Sequence, residues 1–249
     1  MKKLFPKMYS RPKNATLVSI VSYWAWAFVL VPWWLPYMSF GLWSDRVFAS
    51  WLDISYHTFN GIMTTVLLKN YLKDEWFMVT TDVGHYLGHG LLTTGLMAVV
   101  TAGQIGFCWF CGVDVLYMLN GLPVTEMSVA QTAGYLVSGN PVFGTVCMVI
   151  FAPVCLCGLF YALGFAPVCS KRPWVAYLTV TAVTLIPALL DIVWRGGAAR
   201  VMDVYFLQLP IHLLACWSYQ KTDNIFTPMI SLALMNLLGA FANILVVNL

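Results

Sequence analysis

The chain has 249 residues, 60% of them hydrophobic and only 9% charged, with a mean hydropathy of +0.78. That composition excludes a water-soluble globular domain of this size. The formal net charge of +3 is small, and no Lys/Arg stripe with interleaved aromatics marks a nucleic-acid partner. A spanning helix needs ~20 largely apolar residues, and several such runs are present. The expectation is an all-α, polytopic helical membrane protein of about seven transmembrane helices, with the lipid bilayer as its principal partner.

The N-terminus carries Lys2, Lys3, Lys7, Arg11 and Lys13 with no acid among them. The apolar run that follows is long enough to span and has no small-residue cleavage site, so a cytoplasmic anchor is expected rather than a cleaved signal. Apolar segments follow near Leu17–Met38, Ile54–Leu72, Tyr86–Phe107, Phe143–Phe165, Val175–Val193, Val204–Tyr219 and Ile225–Val247. The sixth is short and holds Gln208, Pro210 and His212, which suits a broken or re-entrant helix covered by other protein. Residues 1–110 then form N-terminal spans, 111–142 an outer loop, and 143–249 a second helical core.

Charge supports this layout. With the N-terminus inside, the inner segments hold Lys2, Lys3, Lys7, Arg11, Lys13, Lys69, Lys73, Lys171, Arg172 and Lys221. The outer segments hold Arg46, Arg195 and Arg200. That is the bias of the positive-inside rule, and Trp33, Trp34 and Trp43 on one side with Trp76 and Trp174 on the other fit interfacial belts. The reading is a multi-pass protein of the cell membrane, N-terminus cytoplasmic and C-terminus outside.

Several groups invite a chemical reading. His85 and His89 are four apart and share one helix face. They make either a metal pair or a polar cap at the inner interface. Zinc needs three or four ligands, and Asp82 is the one acid nearby, so the cap is preferred and neither metal nor cofactor is expected. Cys108 and Cys111 form a CxxC at the outer end of the third span, readable as a local disulfide or as two apolar thiols. Ionisable groups in spans are functional candidates by default. His57, Asp191, Asp203 and His212 qualify, with surface ion pairs to Arg195 and Arg200 the plainer reading for the two acids. His212 is the one expected to line a polar cavity or to pack through a hydrogen bond.

Three segments carry a resemblance: "APVCLCGLFYALGF", "AYLTVTAVTLIPALLDIVW" and "YQKTDNIFTPMISLALMNLLG". In that order and spacing they resemble the CPBP (Abi) family, which includes the type II CAAX prenyl endopeptidases and bacteriocin self-immunity proteins. In that family the segments read EExxxR, FxxxH and HxxxN. The matching positions here are Leu156, Cys157 and Tyr161, then Thr184 and Ala188, then Leu232 and Asn236. Only the Asn is kept. The Tyr219, Thr222, Asp223, Asn224 and Pro228 stretch resembles the family's turn into its last helix.

The resemblance implies a CAAX-protease-like helical core that has lost its chemistry. The family's glutamate activates a water beside His and Asn. The chain's two glutamates, Glu75 and Glu126, are read as lying in loops. No catalytic residue is therefore expected. A pocket built on Asn236, Tyr161, Cys157 and His212 would bind a membrane peptide, a lipidated peptide or a partner membrane protein. An endopeptidase using Cys157 with His212 and a small transporter are the alternatives.

Overall fold

The computed structural model describes residues 46–112, 141–169, 172–182, 185 and 209–247. Every described element is helical: α1 (Arg46–Leu67), α2 (Lys69–Thr81), α3 (Val83–Phe110), α4 (residues 141–169), α5 (residues 173–182), α6 (Leu209–Thr222) and α7 (Phe226–Val247). The fold is all-α, as composition predicts. The first apolar segment and most of the 111–142 loop lie outside the described residues.

The second apolar segment becomes two helices. α1 bends into α2 at Leu68 (φ −100°, ψ 14°) while the hydrogen-bond ladder runs on, from Leu68 N to Thr64 O and from Leu72 N to Leu68 O. Hydropathy misses α2 because Lys69, Lys73, Asp74 and Glu75 dilute it, yet Lys, Glu, Leu and Met are all good helix formers. Asp82 (φ −146°, ψ 64°) ends α2 and caps α3, its Oδ1 accepting the His85 N–H at 3.2 Å.

α4 contains two π-helical stretches, Cys147–Phe151 and Cys157–Phe165. Each ends two residues before a proline, Pro153 and Pro167. A proline has no N–H to return to the carbonyl four residues back, so the ladder shifts register ahead of it.

Small residues set the helix crossings. A Cβ on Gly61 of α1 would meet Phe151 O of α4 at 3.0 Å, and one on Gly158 of α4 would collide with Thr64 Cγ2 of α1. Across α3 and α7, Gly90 faces Ile230, Ser231 Oγ donates to Gly90 O at 3.0 Å, and Thr94 Oγ1 reaches Ser231 O at 3.4 Å. Small residues let the backbones approach closely, and Ser and Thr hydroxyls join them across the crossing.

α3 is long and apolar enough to cross a membrane over Val83–Phe107, and only 22% of its most apolar 18-residue stretch is buried. Leu87, Leu91, Leu92, Val99 and Phe107 face outward. Val142–Leu156 and Phe226–Phe241 are shorter apolar helices.

Candidate functional site

The turn between α6 and α7 is built from its own side chains. Asp223 takes a left-handed φ of 49°, which Asp tolerates better than most residues. Asn224 Oδ1 accepts the Phe226 N–H at 2.9 Å and so caps α7. Thr222 Oγ1 donates to Ser218 O at 2.9 Å.

Glu75 closes this turn from α2. Its Oε2 accepts the Ile225 N–H at 3.0 Å, and its backbone carbonyl accepts from Asn224 Nδ2 at 2.9 Å. Glu75 and Asn224 are both fully buried. This corrects the reading of Glu75 as a loop residue. The signal was present: Leu68, Tyr71, Glu75 and Val79 are all buried at helical spacing, so the glutamate sits in an apolar stripe. A carboxylate at the start of α7 also suits the positive end of the helix dipole. Glu126 lies outside the described residues.

The motif positions come together in part. Leu156, Cys157 and Tyr161 on α4 and Leu232 and Asn236 on α7 are all buried, and Cys157, Tyr161 and Leu232 share one hydrophobic core. Thr184 and Ala188 lie outside the described residues, as do Asp191, Asp203, Arg195 and Arg200. At the described motif positions Leu156, Cys157 and Leu232 are packed into the apolar core. Among the described residues the buried carboxylate is Glu75, which is engaged in the α7 cap.

Asn236 has a structural partner that explains it. Its Nδ2 donates to Met148 O at 2.7 Å, inside the first π-helical stretch of α4. In an α-helix Met148 O would receive the Ala152 N–H, but that amide donates to Cys147 O instead. In a π-helix the donor would be residue 153, which is proline and has none. The Asn236 amide takes the place of both.

His212 of α6 lies 2.8 Å from the Tyr161 hydroxyl through Nδ1, a buried bond tying α6 to the second π-helical stretch. Nearby, the Tyr71 and Tyr219 hydroxyls meet at 3.3 Å. An open cleft of about 490 Å³ lies elsewhere, between Val100, Gly103, Gln104 and Phe107 of α3 and Leu209 and Leu213 of α6. None of the motif positions lines it.

No family model, curated protein or solved structure matches this chain.

The remaining candidates are placed as follows. His85 and His89 stack edge to face with ring centroids 4.8 Å apart, at the first turns of α3 beside Asp82. Cys111 is a free, exposed thiol at the far end of α3. Among the described residues no group of three or more His, Cys, Asp or Glu is assembled around a metal position.

Proposed function

We propose that the protein is a multi-pass membrane protein of the CPBP type whose protease core has become a structural scaffold, and which binds a membrane peptide, lipidated ligand or partner protein without cutting it. The observation that carries this is the Asn236–Met148 bond. The one motif side chain that is kept has a packing task independent of catalysis. The apolar residues at the other described motif positions, Leu156, Cys157 and Leu232, fill the core where acid and base would stand.

The arrangement of charge supports the multi-pass topology. The Glu75–Ile225 bond joins α2 to the α6–α7 turn, and Asp223 in that turn bears on Cys169 at the end of α4. Exposed Lys69, Lys73, Arg172 and Lys221 thus gather at one end of the bundle, which is the inner end by the positive-inside rule.

The second reading, a Cys157–His212 dyad, loses support because His212 Nδ1 is engaged with Tyr161 and Cys157 is sealed in the core. A nucleophile needs a base within hydrogen-bond reach and an open face for its substrate. Reconstitution in vesicles with a prenylated peptide and a transmembrane peptide separates the readings. No hydrolysis is expected from either. Hydrolysis that disappears in Cys157→Ser or His212→Ala would sink the scaffold reading and establish the dyad.

A further inference from the structure

We propose that His85 and His89 form a chelating site for a divalent transition-metal ion at the inner end of α3. The two rings are one helical turn apart and meet edge to face, with centroids 4.8 Å apart and planes inclined at 66°. Two imidazoles holding one ion at about 2.0–2.1 Å have ring centres roughly 3.2 Å from it, and so about 4.5–5.2 Å apart for angles from ~90° to ~109°. The observed separation falls within that window without moving the backbone. The spacing of the rings therefore lets rotation about the side-chain bonds bring one nitrogen of each to a shared ion.

The surroundings leave this pair available. His85 is exposed in the first turn of α3, three residues past Asp82, and His89 is half-buried one turn further on, so solvent at that end of the helix completes the coordination of an ion held there. Nδ1 of His89 is screened from solvent and has no hydrogen-bond partner among the described residues. The imidazole is therefore not committed through that atom to the protein's own hydrogen bonding. Asp82 is occupied on Oδ1 by the His85 amide, so it steadies the first turn of α3 that carries both rings. With two nitrogen ligands and no thiolate, the site belongs to the imidazole-binding metals, and the general affinity order favours Cu²⁺ over Ni²⁺ and Zn²⁺.

The test uses the full-length, tag-free protein in detergent micelles titrated with Cu²⁺, followed by calorimetry and by electron paramagnetic resonance. One ion per chain with nitrogen coupling from two imidazoles is expected. His85→Asn and His89→Asn should each weaken binding by about tenfold or more, because one ligand remains where chelation needs two. His57→Asn should leave it unchanged. Thermal melts of the apo variants within experimental error of the parent confirm that both fold. Absence of saturable binding, or binding that persists in His85→Asn and His89→Asn, overturns the proposal.

Discussion

Asn236 and Glu75 are both buried polar residues whose partners are backbone groups that the local sequence has orphaned. Met148 O lacks a donor because Pro153 follows it by five, and Asn236 supplies one. An unpaired buried carbonyl costs about 1–3 kcal/mol, so Asn236→Leu should lower stability by that amount in detergent melts. Pro153→Ala restores a backbone N–H to the ladder and should recover part of the loss in the double variant. If Pro153→Ala makes no difference in the Asn236→Leu background, the proline is not the reason the asparagine is needed. Glu75 serves the Ile225 N–H in the same way. Glu75→Gln keeps an acceptor oxygen and should be the milder change. Glu75→Ala strands the amide and should cost about 1–3 kcal/mol more than Gln, measured as a difference in melting temperature under identical detergent conditions. Equal melts for the two would remove the capping role.

The crossing of α1 and α4 depends on a missing side chain rather than on a bond. Gly158 meets Thr64 so closely that a Cβ there collides with Cγ2, while Thr64 Cβ would stand at an ordinary 3.6 Å. Gly158→Ala should therefore destabilise the helix pair by about 1–3 kcal/mol through overpacking. Thr64→Ala removes the offending methyl, so the double variant should regain most of that loss. A double-mutant cycle with no coupling would show that the two helices do not meet at this point. Much of the element plan was legible in the sequence. Long apolar runs locate α3, α4, α6 and α7, because few charged residues interrupt them and their hydropathy is not diluted. The turn before α7 was legible too, since Asp223 and Asn224 are residues whose side chains bond nearby amides. α2 escaped because its four charged residues mask a buried stripe that only the helical period reveals. The π-helical stretches of α4 were marked by Pro153 and Pro167, but a proline alone says that a ladder bond is lost, not which register replaces it. The role of Asn236 was hidden for the same reason: its partner is a carbonyl, and a carbonyl leaves no trace in side-chain composition.

At the scale of the whole molecule, the chain's own thiols can report orientation. Gly90 near the start of α3 packs on Ile230 just past the turn that Glu75 of α2 closes, and α3 ends at Cys111, so Cys111 stands at the opposite end of the bundle from Lys73. Cys111 is free and exposed. Cys169 stands at the cationic end but is buried, and burial pushes its thiol up from the ordinary range, with the nearby Asp223 carboxylate adding to the effect. A thiol raised in this way holds less thiolate near neutral pH and reacts slowly. An impermeant maleimide applied to intact cells at neutral pH should therefore label the parent protein, and replacing both Cys108 and Cys111 with Ser should remove that signal. Lys73→Cys in this background should be silent in intact cells and become reactive only in inverted vesicles. The reverse pattern, with position 73 reached from outside, would turn the bundle over and contradict the charge bias. Labelling of both positions from one side would place the two ends of α3 on the same face of the bilayer. α3 would then not be a span, and its exposed Leu87, Leu91 and Val99 would need another apolar partner in place of lipid.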